Sequence, residues 1–419
     1  MTTSDPIYVW TWLPGTERPV VAGRIEPHEQ LLTFVYARSY VERDDAIALY
    51  EPELPLRRGR IEPPAGLAAP SCLLDAGPDA WGQRVILNRL LGRRWEDTDP
   101  AQLDTLTYLI ESGSDRVGAI DFQRSPTEYV ERGGTPATLE ELATSAERVE
   151  AGVPLTPALD AALLHGSSIG GARPKAQLDD DGRALIAKLS STTDTYRVVQ
   201  AEFVAMRLAG RAGLRVAPVQ LTQALGKHVL LVERFDRVPG TALRHHFVSA
   251  LTLLELRDLD ARYASYAELA EIIRHRFTAP RETLRELFAR ITFNILVGNT
   301  DDHARNHGAL WDGEQLTLTP AYDLCPQLRL GGEASQGMQI GRDGFRLSSL
   351  SGCVTRSAEY GLTPAEAREI VDHQIDVIER SFDEVCDEAQ LARADRQTLR
   401  ERAILLPYAL EGYASAPSA

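Results

Sequence analysis

The hydrophobic pattern of this chain changes near residue 240. Before that point, short β-rich runs such as 8–12, 31–37 and 45–50 are spaced like the strands of an antiparallel sheet. After residue 241, nearly every segment has the period of an amphipathic helix. Strands followed by helices are typical of the α+β class. The sequence therefore predicts a strand-rich lobe followed by an all-helical lobe.

Local signals support this division. An Asp-Gly pair at 181–182 separates two alternating runs within 175–190 and predicts a hairpin. The run 281–299 places apolar residues on one helix face, and Gly298 can end that helix. Those apolar residues are Leu284, Leu287, Phe288, Ile291 and Ile295. The predicted segments are an α/β region at 1–140, a strand-rich lobe at 141–240 and a helical lobe at 241–419.

Length and composition limit the functional classes. A chain of 419 residues exceeds what one hydrophobic core usually serves, so two or three domains are expected. The net charge of −15 opposes direct binding of nucleic acid, which needs a basic face. Four scattered cysteines without a CxxC pair fit a reducing compartment. Without a signal-peptide pattern or an apolar run of about 18 residues, we expect a cytoplasmic protein that does not enter a membrane.

A glycine- and serine-rich stretch, "GSSIGGARPK" (166–175), precedes the predicted hairpin. Gly170 and Gly171 let the backbone approach a phosphate closely, and successive N–H groups can form an anion nest. Arg173 and Lys175 would add positive charge. The stretch is not a Walker A loop, because Ala172 stands where that motif has lysine. An ordinary flexible turn is the alternative interpretation.

Lys188 lies within the apolar strand "ALIAKLS", on the same face as Ile186. A lysine in such a strand needs a partner, and Glu202 follows on the next predicted helix. The pair is similar to the strand lysine and helix glutamate of kinases, in which the lysine holds the nucleotide phosphates. A lysine at the sheet edge whose ammonium reaches water is the alternative.

The polar stretch "GNTDDHARNHGAL" (298–310) follows the strongly apolar helix. Asp301 and Asn306 have the D-x-x-x-x-N spacing of a kinase catalytic loop. In that loop a carboxylate orients the hydroxyl proton of the substrate, and an amide oxygen helps to hold Mg²⁺. Two alternatives stay open. His303 and His307 could bind zinc, although the stretch lacks the glutamate of HExxH, or the loop could simply be solvated.

Asp323, in "AYDLCP" (321–326), follows a short strand-like run. An aspartate after the catalytic loop is a main metal ligand in kinases, and an Asx turn before Pro326 is the alternative. Each motif is weak by itself. Together, the glycine-rich loop, strand lysine, helix glutamate, D-x-x-x-x-N and later aspartate follow the order of a kinase. This order predicts phosphoryl transfer at a cleft between two lobes.

These motifs identify a resemblance to the HipA-like serine/threonine kinases, the toxin halves of bacterial toxin–antitoxin pairs. The resemblance rests on "SSIGGARPK", "VERFDR" (232–237), "NTDDHARNH" (299–307) and "AYDLCP", within residues 160–330. The stretch "LLDAGPDAWGQRVI" (73–86) is similar to the N-terminal region of that family, with a looser match. The resemblance implies a bilobed protein-kinase-like fold. It also implies that the protein uses ATP and Mg²⁺.

The resemblance also implies a role for each candidate residue. Asp301 would be the catalytic base, and Asn306 and Asp323 would bind Mg²⁺. Backbone groups at the hinge would meet adenine, and Lys188 would hold the phosphates. The residues assigned to ATP are Gly170, Gly171, Lys175 and Lys188, with Glu233 and Phe235 at the hinge, Asp236 beside it, and His303 near the phosphates.

In this family a serine of the glycine-rich loop is autophosphorylated, which displaces the loop and stops activity. Ser168 holds that position here, and Ser167 is an adjacent candidate. A phosphate there would add about −1.5 to −2 charges. Because the phosphates of ATP should lie in the same place, inhibition is expected on electrostatic grounds.

The predicted function is an ATP- and magnesium-dependent serine/threonine protein kinase that acts as a toxin. Its expected partners are a small helix-turn-helix antitoxin, through which DNA would be reached only indirectly, and a protein substrate. The family suggests a translation component as that substrate. Two alternatives stay open: a small-molecule kinase of the aminoglycoside-phosphotransferase kind, and a pseudokinase that serves as a co-repressor subunit.

Overall fold

Two compact units share the chain in the computed structural model, which describes residues 5–91, 99–133, 137–153, 155–156, 159 and 173–413. The first unit comprises Met1–Thr193, Thr222–Val248 and Leu310–Glu314. The second comprises Asp194–Leu221, Ser249–Ala309 and Gln315–Ala419. The division predicted from the sequence, at residues 140 and 240, stays a prediction.

A five-stranded antiparallel sheet lies in the first unit. Its strands are β1 (Ile7–Thr11), β2 (Val20–His28), β3 (Leu31–Tyr36), β4 (Arg60–Ile61) and β5 (Ile120–Gln123), in the order β4-β3-β2-β1-β5. The run 45–50, predicted as a strand, is not one, and Tyr50 makes only an isolated bridge to Leu54. Tyr50, the last residue of this run, packs its ring edge-on against that of Trp311, with 5.9 Å between the ring centres.

A four-stranded sheet contains the predicted hairpin. Its strands are β6 (Lys175–Asp180), β7 (Arg183–Leu189), β8 (Val219–Ala224) and β9 (Lys227–Glu233), in the order β6-β7-β9-β8. The hairpin of β6 and β7 is confirmed. Asp181 and Gly182 have φ angles of 53° and 77°, as a two-residue turn of this kind requires. Trp81 lies in the core beneath this sheet and donates a 2.9 Å hydrogen bond to the Lys175 carbonyl.

Helices are the main regular structure of the second unit. Along the whole described chain they are α1 (Arg38–Val41), α2 (Ser71–Leu74), α3 (Ala80–Leu91), α4 (Thr105–Glu111), α5 (Leu139–Glu150), α6 (Val198–Arg211), α7 (Ala250–Leu253), α8 (Tyr266–Arg276), α9 (Pro280–Leu296), α10 (Leu350–Thr355), α11 (Pro364–Glu388), α12 (Arg393–Arg402) and α13 (Pro407–Leu410). Among the described residues, no helix has both the length and the apolar character needed to span a membrane.

The chain after residue 241 is not all helical, which corrects the prediction. Strands β10 (His246–Ser249), β11 (Gly308–Trp311) and β12 (Leu316–Leu318) form a three-stranded sheet in the order β10-β11-β12. Each is only three or four residues long, and periodicity cannot distinguish so short an apolar run from part of a helix. The predicted α+β class itself is confirmed.

Helix α9 leads directly into the polar stretch 298–310. Its predicted apolar face is buried, and Pro280 stands in the first turn, where a missing N–H costs nothing. Gly298 follows the helix with a φ of +69°, and a Cβ at this position would lie 2.4 Å from the Ala403 carbonyl oxygen. Glycine is therefore required here both for the backbone conformation and for space.

Gly298→Ala should lower the free energy of unfolding by roughly 2 kcal/mol or more, because alanine disfavours this φ and collides with Ala403. Gly361→Ala is the matched control, since its φ is +70° but the nearest atom to its Cβ, on Leu284, is 3.7 Å away. We expect the control to lose only the conformational part. Urea unfolding measures both, and equal losses would show that the close approach of Ala403 is unimportant.

Glu53 is a buried carboxyl group of the first unit, only 3% exposed. Its Oε2 accepts a 2.7 Å hydrogen bond from the Cys72 N–H. Burial raises the pKa of Glu53 to about 7, Asp75 adds to this rise, and hydrogen bonds from Cys72 and Ser71 oppose it. The folded protein therefore keeps this carboxyl group protonated at a pH where the unfolded chain has already lost the proton.

This raised pKa predicts that stability falls as the pH rises. The contribution is fully present below the ordinary pKa of 4.5 and is lost as the pH passes about 7, a loss of roughly 3 kcal/mol. Glu53→Gln is neutral throughout and should remove the loss. Urea unfolding should therefore favour the variant at pH 8 but not at pH 4, whereas parallel pH profiles would contradict this account.

Candidate active site

The stretch 298–310 is held at both ends within the second unit. At the start, the Asn299 N–H donates to the Asn294 carbonyl at 2.8 Å, and its side-chain amide donates to Asn294 Oδ1 at 2.9 Å. At the other end, the His307 carbonyl accepts a 2.8 Å hydrogen bond from the Ala250 N–H. A short 3-10 turn, Ala304–Asn306, lies between them. The loop thus has a defined path between helix α9 and strand β11.

Asp301 and Asp302 are adjacent in sequence but differ in burial. Asp301 is exposed, whereas Asp302 is only 2% exposed. The Asp302 carboxylate accepts a 2.9 Å hydrogen bond from His307 Nε2 and is occupied inside the protein. Of the two carboxylates, only that of Asp301 can meet a substrate, and it is also the one that the spacing to Asn306 predicts.

Neighbouring charges act on the carboxylate of Asp301. Partial removal of this carboxylate from water raises its pKa, the charge of His303 lowers it, and the charges of Asp323 and Asp302 raise it further. The charges that act on the Asp301 carboxylate thus come from its own loop and from Asp323. The net effect is a raised pKa, and a more basic carboxylate is better suited to accept a proton.

Asn306 and Asp323 bring further oxygen atoms to the second unit. Asn306 is buried, and its amide nitrogen donates to the Asp301 carbonyl at 3.4 Å, so only its oxygen can be offered to a cation. Asp323 has a φ of +61°, an uncommon conformation for a residue other than glycine. A parallel bridge between Val216 and Ala321 fixes the chain just before it. Such backbone strain is concentrated at functional sites.

The side chains assigned to the metal, those of Asn306 and Asp323, would offer it oxygen atoms. His307, one of the two histidines considered for zinc, is buried with its Nε2 bonded to Asp302. Within the described part of the chain, no group of three or more His, Cys, Asp or Glu side chains could hold a metal ion. Carboxylate and amide oxygens suit a hard cation that retains several waters. The set therefore fits Mg²⁺ better than zinc.

Lys188 lies in the first unit, in the middle of its sheet. It stands opposite Lys175 of β6 and Leu230 of β9. Burial alternates along β7. The side chain of Lys188 therefore lies on the half-buried face of the sheet, whereas its neighbour Ala187 faces the core. Glu202 is buried in α6 of the second unit. Its pairing with Lys188 stays a prediction.

The other residues assigned to ATP differ in what the structure describes. Glu233 ends β9 and is half-buried, as is Phe235, whose ring centre lies 6.1 Å from that of Phe247. The predicted hinge contacts with adenine stay predictions. Residues 166–172 of the glycine-rich stretch, which include the predicted site residues Ser167, Ser168, Gly170 and Gly171, fall outside the described residues.

Lys175 forms an ion pair that sequence reasoning missed. The residue is 3% exposed, and its Nζ lies 2.9 Å from Asp79 Oδ2. The other oxygen of Asp79 accepts a 2.7 Å hydrogen bond from the Gly82 N–H in α3. The pair therefore links β6 to the start of α3. This link competes with the predicted contact between Lys175 and ATP.

Asp236 belongs to a buried ion cluster at the predicted hinge. Its carboxylate accepts hydrogen bonds of 2.7–3.0 Å from Arg234, Arg237 and the Gly118 N–H. Asp115 pairs with the same two arginines. Burial alone would raise the pKa of Asp236, but Arg234 and Arg237 lower it. Both of its oxygens are engaged, which favours a structural role over the predicted place beside ATP.

Asp236→Asn should lower the free energy of unfolding by about 3 kcal/mol, because buried Arg234 and half-buried Arg237 each lose one of their two carboxylate partners. Asp45→Asn is the control, since it breaks an exposed pair with Arg43 and should leave stability nearly unchanged. Chemical denaturation measures both variants. A normal stability of Asp236→Asn with weakened ATP binding would instead support the nucleotide contact.

Comparison with known proteins gives the family. Residues 17–123 match the HipA N-terminal domain, and residues 167–382, just over half of the chain, match the HipA-like C-terminal domain. The chain belongs to the HipA-like family. This confirms the resemblance drawn from the motifs, and the N-terminal match extends well beyond the stretch 73–86 on which that part of the resemblance rested.

Two relatives of this HipA-like chain are named as kinases. Y4mE of Sinorhizobium fredii, described as a candidate kinase, is 30% identical over 267 residues, which are 58% of this chain and 60% of that protein. The serine/threonine-protein kinase toxin HipA of Shewanella oneidensis is 27% identical over 183 residues, 38% of this chain and 42% of that protein. The matched regions thus span less than two thirds of either relative.

A solved structure confirms the predicted fold class. The complex of HipA, HipB and operator DNA from Shewanella oneidensis MR-1 aligns with a TM-score of 0.67 over 94% of both chains. The sequence identity is 19%, so this similarity establishes the fold alone. The fold is that of HipA.

Proposed function

We propose that this chain is an ATP- and magnesium-dependent serine/threonine protein kinase. The observation that supports this most is the surroundings of Asp301, an exposed carboxylate with a raised pKa. The Asn306 amide donates to the main-chain carbonyl of the same residue at 3.4 Å, and the charge of Asp323 acts on the Asp301 carboxylate. Phosphoryl transfer from Mg-ATP needs such a carboxylate for the substrate hydroxyl, together with oxygen ligands for the metal.

Each residue would make a separate contribution to the reaction. Asp301 would orient the attacking hydroxyl and accept its proton as the oxygen bonds to the γ-phosphorus and the bond from that phosphorus to the bridging oxygen breaks, releasing ADP. Asn306 and Asp323 would hold Mg²⁺, which neutralises charge on the phosphates when it is bound. Lys188 would position the same phosphates from the half-buried face of β7. Positioning and electrostatics of this kind supply most of the catalysis in phosphoryl transfer.

The proposal extends to a toxin role in the cytoplasm. One relative is named a toxin, and the solved HipA structure contains HipB and operator DNA. With a net charge of −15, this chain would reach DNA through a basic helix-turn-helix antitoxin. Autophosphorylation at Ser168 or Ser167 would stop its activity by placing charge where ATP binds. The family suggests a translation component as the protein substrate.

Asp301→Asn tests the catalytic assignment. The purified parent with Mg-ATP should phosphorylate itself at Ser168 or Ser167. The variant should do so at least about 100-fold more slowly, because it lacks the proton acceptor. Asp44→Asn removes an exposed carboxylate from the first unit and is the matched control. Phosphosites are mapped by mass spectrometry, and ATP binding is measured by calorimetry.

Two results would contradict the proposal. Transfer by Asp301→Asn at the rate of the parent would remove Asp301 from the mechanism. A parent that binds ATP but phosphorylates neither itself nor lysate proteins would not be a protein kinase. A phosphorylated metabolite would then indicate a small-molecule kinase, and its absence a pseudokinase.

A further inference from the structure

The carboxylate of Asp302 is the centre of a buried hydrogen-bond cluster that the proposed mechanism does not use. Its Oδ2 accepts hydrogen bonds from the Tyr266 hydroxyl and, at 2.7 Å, from the Asn294 amide. His307 Nε2 lies 2.9 and 3.0 Å from the two carboxylate oxygens. The donors come from the start of α8, from α9 and from the end of the loop. We call these four residues the Asp302 cluster.

The Asp302 cluster keeps its charge inside the protein. Burial alone would raise the pKa of Asp302, but His307 and the hydrogen bond from Tyr266 lower it below its ordinary value. Burial and the Asp302 charge raise the pKa of Tyr266 well above its ordinary value. The tyrosine therefore stays a hydrogen-bond donor and the aspartate an acceptor. Rotation of the Asp302 side chain would leave buried donors unpaired, which is costly.

The main chain of Asp302 is confined as well. A Cβ on Gly337 would lie 2.6 Å from the Asp302 carbonyl oxygen, so the two backbones are in close contact. Two residues further, the Gln339 carbonyl accepts a 2.8 Å hydrogen bond from the Tyr266 N–H. The segment that confines the backbone of Asp302 is thus attached to the residue that binds its side chain. Neither part of Asp302 can move alone.

We propose that Asp302 is a positioning residue for phosphoryl transfer, and that its cluster aims the neighbouring Asp301 at the reacting hydroxyl. The inference rests on the proposed function. Because the two aspartates share a peptide bond, fixing Asp302 fixes the backbone from which Asp301 projects. Misplacing a catalytic group by 1 Å can cost about 100-fold in rate. Asp302 acts through Asp301 and does not touch the reacting atoms itself.

The chemistry of the cluster favours positioning over stability as its purpose. When apolar side chains of similar volume replace a buried ionic group, the folded protein is often equally stable or more stable. A carboxylate surrounded by directional donors, in contrast, permits few arrangements of the loop. Four polar residues in one buried place are therefore better explained by the need for one defined loop conformation at Asp301.

Asp302→Asn tests the inference, because it keeps the shape and removes the charge. At saturating Mg-ATP, we expect the maximal rate of autophosphorylation to fall about 10- to 100-fold. The ATP concentration for half-maximal rate should stay within about threefold of the parent's, since nucleotide contacts are unchanged. Thr292→Val is the matched control. It removes a buried hydrogen bond to Gln374 in the same unit, and the bonds that Thr292 makes, to Phe288, Ala289 and Gln374, do not include a member of the Asp302 cluster.

Thr292→Val should lower the unfolding temperature without changing the maximal rate when both are assayed well below that temperature. Tyr266→Phe removes one hydrogen-bond donor and retains the ring. We therefore expect its maximal rate of autophosphorylation to fall about three- to tenfold, less than for a catalytic group displaced by 1 Å. This second variant decides the question if Asp302→Asn does not fold. A rate that falls only in proportion to lost stability would mean a merely structural role and would overturn the inference.

Three further outcomes are distinguishable. An unchanged maximal rate in a folded Asp302→Asn or in Tyr266→Phe would overturn the positioning role and leave the proposed kinase function intact. Activity in Asp301→Asn together with none in Asp302→Asn would make Asp302 the base, which also overturns it. A parent that transfers no phosphate would refute the proposed function, and the inference would fall with it.

Discussion

The carboxylate of Asp302 is buried, and a buried charge is stable only when several hydrogen-bond donors surround it. Tyr266, Asn294 and His307 meet it, and they come from α8, α9 and the end of the loop. The loop can therefore take its conformation only when these elements are packed together. Gly298 belongs to the same constraint, because it lets the chain leave α9 against the Ala403 carbonyl. The exposed place of Asp301 is a consequence of this packing.

The first unit uses the same physics at the predicted hinge. Buried Asp236 and half-buried Asp115 pair with Arg234 and Arg237, and the Asp236 carboxylate also accepts a hydrogen bond from the Gly118 N–H. The partners lie in the regions matched by the two family domains, before residue 123 and after residue 167. A substitution at Asp115 would therefore remove an ion pair of Arg234 at the predicted hinge. Each unit thus holds one candidate functional segment with buried charge.

Local features were predictable, and long-range partners were not. The hairpin depends on an adjacent Asp-Gly pair, and α9 on its own apolar period and the glycine that follows it. By contrast, Tyr50 packs against Trp311, which lies far along the chain, so the β-rich run 45–50 indicates a strand that the structure does not have. At the candidate site, the spacing of Asp301 and Asn306 predicts a catalytic loop, and this assignment stays a prediction. The burial of Asp302, the pairing of Lys175 with Asp79 and the cluster around Asp236 depend on tertiary partners that no local pattern reveals.

The most direct test is a crystal structure with Mg²⁺ and a non-hydrolysable ATP analogue. Our account predicts Mg²⁺ at about 2.0–2.1 Å from the Asn306 side-chain oxygen and the Asp323 carboxylate, with the γ-phosphate facing Asp301 and Asp302 still buried among its donors. A nucleotide bound elsewhere, or a metal that contacts neither Asn306 nor Asp323, would contradict the assignment of 298–310 as a catalytic loop.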